Sequence, residues 1–286
     1  MYLKRCFVLS LIGLSVSLVG CSSGLTPKQA VKDAFNAYDA DARRKAVTYL
    51  SSADWGGEPP YLKIYRLMLT DEDPTVRASA LRAIARHGLP SDVPGVLPNT
   101  THNEKLVRWE ATRALQRIHH PAAAEVLIKI LSEEESADVR SAAANALAQY
   151  PQTRVFHALL GALKDEDFAV IKESASSLAI LTGQDFGRDG TRWLEWSKQA
   201  ENLFADKQIY YYPEYVKEPG FVDSVQFWKP KGLTYTGPKQ PRGIGELDIE
   251  PSPAEPQATP SPTEPQPTPP SENQPESPTP QPQPQP

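Results

Sequence analysis

The sequence predicts an all-α solenoid of about five helical pairs, ended by a capping helix and followed by an extended aromatic arm and a disordered Pro-rich tail. Three observations predict it. Ungapped copies of one segment recur with their arginines 31 and 32 residues apart, at 77, 108 and 140. Small and apolar residues follow each arginine at three, six and seven positions, one face of a helix. Of the 36 residues from Pro251 to Pro286, 15 are proline, with no aromatic, lysine or arginine among them.

Taken in order, residues 1–20 read as an address. Lys4 and Arg5 precede an apolar run from Cys6 to Val19, 14 residues long. Roughly 20 apolar residues are needed to cross a bilayer, so a processed signal fits better than a spanning helix. Leu18-Val19-Gly20-Cys21 resembles the lipobox of bacterial lipoproteins, which implies acylation of Cys21 and cleavage in front of it. Acyl chains contribute about 0.8 kcal/mol per buried CH₂, enough in number to hold the chain on a membrane. Ser22 in place of the aspartate that retains some lipoproteins favours the outer membrane, where the host has one. With Cys6 removed and Cys21 acylated, no thiol remains for disulfides, nucleophilic catalysis or zinc.

Residues 21–183 carry the repeat. Pro74-Thr-Val-Arg77-Ala-Ser-Ala80-Leu-Arg-Ala-Ile84 aligns with Lys105-Leu-Val-Arg108-Trp-Glu-Ala111-Thr-Arg-Ala-Leu115 and with Ala137-Asp-Val-Arg140-Ser-Ala-Ala143-Ala-Asn-Ala-Leu147. A divergent copy precedes at Ala42 to Leu50, and a weaker one follows with Lys172 in the arginine place. Between copies lies a second apolar helical pattern, at Tyr61 to Leu69, Ala122 to Leu131 and Val155 to Leu163. Prolines 27, 60, 74 and 121 mark helix starts. In the third copy Pro94, Gly95 and Pro98 make a full first helix untenable. Neither helix of a pair buries its apolar stripe alone, so the pairs stack.

This pattern resembles HEAT repeats, in particular the short bacterial type related to the repeats of phycobilisome lyases. The resemblance implies a right-handed superhelix whose second helices line the concave face and bind a protein partner. It also implies that Arg77, Arg108 and Arg140 form an inter-repeat polar ladder, with Asp138 as one acceptor.

Residues 184–205 read as a cap: a stop at Gly183, an N-cap at Asp189, and a helix to about Phe204 whose Trp193 and Trp196 cover the last repeat. Residues 206–236 hold the aromatics Tyr210, Tyr211, Tyr212, Tyr215, Phe221, Phe227, Trp228 and Tyr235, either packed along the solenoid or offered as a docking or glycan-stacking strip. Residues 237–286 read as disordered, with local polyproline II, acting as a spacer or meeting the cell wall.

Chemistry has little support. The net charge of −5 excludes a dedicated nucleic-acid binder. The five histidines form no metal-binding spacing, and no nucleophile elbow or phosphate loop is present. Asp185-Phe186-Gly187 stands without the other kinase elements. His119-His120 and Glu133-Glu134-Glu135 read as solvated turns. No catalytic residue, cofactor or metal is therefore expected. The constellation above background is Arg82, Arg86, Arg113 and Arg117, paired at i and i+4 on neighbouring second helices, a candidate site for an acidic partner. The leading reading is a lipid-anchored envelope scaffold for protein interaction. The alternatives are a bilin-lyase-like enzyme or enzyme subunit, and a structural protein whose tail contacts the wall.

Overall fold

A computed structural model describes residues 25–212 and 238–245. Cys21, most of the aromatic segment and the tail from 246 onward lie outside the described residues. Helices pair in sequence order: α1 (Pro27–Asp33) with α2 (Ala40–Ser52), α3 (Pro59–Met68) with α4 (Pro74–His87), a broken first element with α6 (Lys105–Arg117), α7 (Pro121–Glu133) with α8 (Ala137–Leu147), and α9 (Thr153–Ala162) with α10 (Phe168–Thr182). The broken element consists of 3-10 turns at Pro90–Asp92 and Leu97–Thr101 around a single α turn, α5 (Val93–Val96), because prolines at 90, 94 and 98 each remove a helical donor. The second helices α2, α4, α6, α8 and α10 pack on one another in that order and form the continuous layer of the solenoid. Among the described residues there is no strand, only two isolated bridges, and no helix long and apolar enough to cross a membrane.

Each second helix obeys one positional code. Asp39, Asp73 and Asp167 cap α2, α4 and α10 by accepting backbone N–H groups of the first turn. Counted from the first helical residue, the third position of α4, α6, α8 and α10 is valine (76, 107, 139, 170), fully buried in each. The seventh is Ala46, Ala80, Ala111, Ala143 or Ser174, small enough for the helices to approach closely, and the eleventh is Leu50, Ile84, Leu115, Leu147 or Leu178. Each buried aliphatic side chain contributes about 1.5–3 kcal/mol. The code also corrects the register of the fifth copy. With Asp167 as cap and Val170 and Leu178 buried, Ile171 occupies the arginine position, and Lys172 lies one residue beyond it.

The end of the repeat is closed by α11 (Gly190–Gln199). Trp193 is fully buried, donates its indole N–H to the Gly187 carbonyl at 2.9 Å, and meets Phe186, Phe156 and Trp196 with ring centroids 4.9, 6.4 and 6.2 Å away. The helix stops at Gln199, short of the expected Phe204, and Asn202 then turns the chain by accepting from Phe204 N.

From there the chain runs back over the C-terminal ends of the second helices. Gly183 ends α10 at φ 72°, and a Cβ there would lie 2.4 Å from the Asp206 carbonyl oxygen, so glycine serves both the left-handed turn and the passage of the returning strap. Gln208 N donates to the Ile180 carbonyl (2.7 Å), and the Tyr210 hydroxyl bonds Asn145 of α8 (2.6 Å). Tyr212 N bonds the Lys239 carbonyl (3.1 Å), which brings the chain back for residues 238–245. Arg242 then joins the end of α6, its N–H donating to Arg117 O (3.0 Å) and its carbonyl accepting from His119 N (2.7 Å). The expectation that everything after 236 is disordered is thus corrected at 238–245. The cause is Arg242, whose guanidinium donates to the carbonyls of Ile84, Ala85, Arg86 and Gly88 at the end of α4.

Candidate functional site

Three polar contacts repeat along the second helices, and a notch beside the second of them is the candidate site. The first is the arginine ladder at the fourth helical position. Arg43 donates to both carboxylate oxygens of Asp71 in the next repeat (2.8 Å each) and to the Asn36 carbonyl of its own turn (2.9 Å). Arg108 does the same with Glu134 (2.8 and 2.9 Å) and the carbonyls of His102 and Asn103, and Arg140 with Asp165 (2.9 and 2.8 Å) and the carbonyls of Glu134 and Glu135. Each arginine therefore ties two successive interhelix turns together.

The acceptors are Asp71, Glu134 and Asp165, and each also accepts from the backbone N–H two residues on. Two expectations change here. Asp138 is not a ladder acceptor; it pairs with Lys105 on the surface at 2.6 Å. Glu134 is not solvated, because Arg108 buries it. Arg77 keeps half the arrangement, bonding the carbonyls of Asp71 and Thr70. The equivalent acceptor position in the next turn is His102, whose Nδ1 takes the Glu104 N–H instead.

The ladder sets the titration of its members. Burial pushes the Glu134 carboxyl up, but the Arg108 hydrogen bond and the Ser136 N–H outweigh it and hold it below the ordinary range. Arg140 holds Asp165 below its ordinary value against burial.

The second contact joins the ninth position of one second helix to the sixth of the next. Arg82 bonds Glu110, which is 1% exposed, and Asn145 donates to Glu173 at 2.7 Å. Between them the ninth and sixth positions are Arg113 of α6 and Ala142 of α8, so a small residue takes the place that Glu110 and Glu173 hold on the neighbouring helices. The small Ser141 and Ala142 leave a notch of about 190 Å³ lined by Trp109, Arg113, Gln116, Asp138, Asn145 and Glu173. Arg113 lies over the Trp109 ring, 4.8 Å from its centroid. The notch opens toward Lys105, Leu106 and Ala169, where Leu106 is exposed.

The third contact runs from the thirteenth position to the end of the preceding second helix. Arg86 donates to the Ser51 carbonyl (3.3 Å) and Gln149 to that of Leu115 (3.2 Å). The four arginines expected as one patch are therefore divided by the structure. Arg82 is matched by Glu110, Arg86 is drawn to the end of α2, Arg117 lies under the Tyr212 ring at 5.1 Å, and Arg113 lines the notch.

The histidines are structural. His119 is buried, stacked on Tyr150 (4.7 Å) and bonded to Gln149 at 3.0 Å, whereas His120 caps α7. His87 has its pKa lowered by burial, against the opposing bond to the Ser51 carbonyl. Among the described residues no group of three or more His, Cys, Asp or Glu side chains is placed to hold a metal ion.

Sequence reasoning missed the pair of exposed Arg66 with buried Asp92 (2.6 Å) and Arg242. Arg66 had a readable signal, since Asp92 follows the proline that starts the broken element. Arg242 had none, because it lies between prolines in a segment of low-complexity composition.

Residues 63–148 and 124–186 match the family model of HEAT repeats. No curated protein matches the chain. Solved structures of similar fold include a designed armadillo repeat protein (17% identity, 63% of this chain and 95% of that chain, TM-score 0.46). A second is a designed armadillo repeat protein in complex with peptide (KR)4 (20% identity, 62% and 92%, TM-score 0.45). A third is the complex of CpcE and CpcF of phycocyanin lyase from Nostoc sp. (19% identity, 58% and 81%, TM-score 0.36).

Proposed function

We propose that this chain, whose residues 63–186 carry HEAT repeats, is a lipid-anchored scaffold of a bacterial envelope that binds a protein partner on the layer of second helices. The observation that carries the partner site is the step from α6 to α8, where Ser141 and Ala142 are small. Repeat contacts close the layer on either side of it, and at that one step small residues leave a notch beside Trp109. A half-buried tryptophan next to an opening of side-chain size is what an anchoring residue of a partner requires. Anchoring is supported by the sequence alone, through the basic start, the apolar run and the lipobox ending at Cys21.

The test fills the notch. Ala142→Arg places a long side chain across the notch, at the sixth position that Glu110 and Glu173 hold on the neighbouring helices, and Ala142→Ser is the control. Crosslinking in native membranes, read by mass spectrometry, should recover the same partner with wild type and Ala142→Ser and lose it with Ala142→Arg, while the melting temperatures stay close. Equal recovery from all three would remove the notch as the partner site.

A further inference from the structure

We propose that the first helical pair is a membrane-facing end of the solenoid, seated on an anionic phospholipid surface through Lys28, Lys32, Phe35 and Tyr38. The inference rests on the reading of Cys21 as acylated and adds to it a defined contact of the folded body with the bilayer. Ser22 to Thr26 alone separate that residue from Pro27, where α1 begins. At 3.3–3.6 Å per residue, five residues span under about 20 Å. A chain tethered so closely cannot lift its first pair far from the headgroups.

The surface presented there has the matching chemistry. Lys28, Lys32 and Phe35 recur at i, i+4 and i+7, and Phe35 is 53% exposed. Tyr38, three residues on, is 99% exposed. Rings with one polar edge sit well at the headgroup level, and lysines are drawn to anionic lipid. Neither lysine has a carboxylate within ion-pair distance among the described residues, whereas the nearby acids are engaged. Asp33 accepts from Gln29 at 2.6 Å, Asp39 caps α2, and Asp41 is paired with Arg44 and Lys45.

The exposure of Tyr38 is built in. Its N–H is fixed by the Asn36 side chain (3.0 Å), and the Asn36 carbonyl is held by the ladder residue Arg43 (2.9 Å). A two-fold contact with a second copy would set the like-charged Lys28 and Lys32 against themselves, which favours lipid as the occupant.

The experiment replaces Tyr38 by the photocrosslinker p-benzoylphenylalanine in the full chain, expressed in a bacterium. A second variant carries it at Tyr211, exposed on the strap. After illumination of intact membranes, mass spectrometry reads two things in one sample: the acyl group on Cys21 and a phospholipid adduct at the labelled position. The proposal expects acylated Cys21, an adduct at position 38 several-fold above that at 211, and a several-fold drop when Lys28→Glu and Lys32→Glu are added. Acylated Cys21 with no excess of lipid at 38, or with a protein adduct there instead, overturns the seated end and leaves the anchor standing. Unmodified Cys21 overturns the anchor, and the seated end with it.

Discussion

Arg242 occupies the place at the end of α4 that the repeat would give to Arg117. In the flanking repeats the thirteenth residue counted from the start of a second helix reaches back to the carbonyls that end the helix before it, as Arg86 of α4 and Gln149, just past α8, do. Arg117 holds that position on α6, yet the α4 carbonyls at 84, 85, 86 and 88 are taken by the guanidinium of Arg242. Arg117 instead lies beneath Tyr212, its Nε buried without a hydrogen-bond partner among the described residues. Burial lowers the pKa of Arg242, and the nearby Arg117 lowers it further, so two cations share the edge against the negative end of a helix.

Arg242→Ala should therefore cost about 1.5–3 kcal/mol, the range for hydrogen bonds made by a charged group. Arg242→Lys should recover little, because an ammonium cannot reach four carbonyls as a planar fork does. If Arg117 swings into the vacated place, the double variant with Arg117→Ala will lose more stability than the sum of the singles. Urea midpoints of the four proteins measure this. Additive losses would show that the two arginines do not compete.

Removing ladder residues should give unequal losses. Arg108→Ala leaves the buried Glu134 without its cation, and breaking such a pair typically costs about 3–5 kcal/mol. Arg77 bonds only backbone carbonyls, so Arg77→Ala should cost nearer 1 kcal/mol. Equal shifts in the urea midpoint would show that the carboxylate half of the ladder contributes nothing.

These contrasts also explain what the sequence could disclose. Period, helix phase and the broken third repeat were legible, because Val76, Ala80 and Ile84 recur at fixed spacing and prolines act locally. The acceptors of the ladder were not. Asp138 and Glu134 are both acids near the next arginine, and only the turn geometry, in which the acceptor also binds the N–H two residues on, selects Glu134. The phase of the fifth copy was misread because Lys172 resembles the missing arginine, whereas the buried Val170 fixes the true register. The notch follows from Ala142 at the position that Glu110 and Glu173 hold on the neighbouring helices, and one sequence shows such a gap only after the pairing rule is known. Arg242 is 154 residues from the helix end it caps, and no local pattern points across that separation.

Stability should fall with acid in two windows. Burial lowers the folded pKa of His87 below 6.5, so as pH drops below about 6.5 the unfolded chain takes up a proton that the native one refuses. Glu134 and Asp165 are likewise held below their ordinary values. Their contribution is complete above about pH 4.5 and is lost as pH falls through the folded values. Urea midpoints measured from pH 7 downward should decline gently at first and steeply below about pH 4. His87→Gln should remove the first decline alone. A flat profile from pH 7 to 5 in the wild type would contradict the lowered pKa of the half-buried His87.

Charge reversal at the four arginines should separate them. Arg82→Glu sets a second carboxylate against Glu110, which is 1% exposed and already depends on Arg82. Uncompensated buried charge of that kind costs about 3–5 kcal/mol, so this single change should lower the melting temperature sharply. Among the contacts of Arg113, Arg113→Ala removes a stacking contact with Trp109 worth about 0.5–1 kcal/mol, and it leaves no buried carboxylate of the layer opposed by a like charge. Reversing all four together would then report on unfolding, not on binding. Partner recovery with Arg113→Ala, beside a melting curve close to that of the wild type, isolates the contribution of the notch. A melting curve for Arg82→Glu that overlays the wild type would show that Glu110 is not held by Arg82, and that the contact between the ninth and sixth positions is no part of what orders the layer.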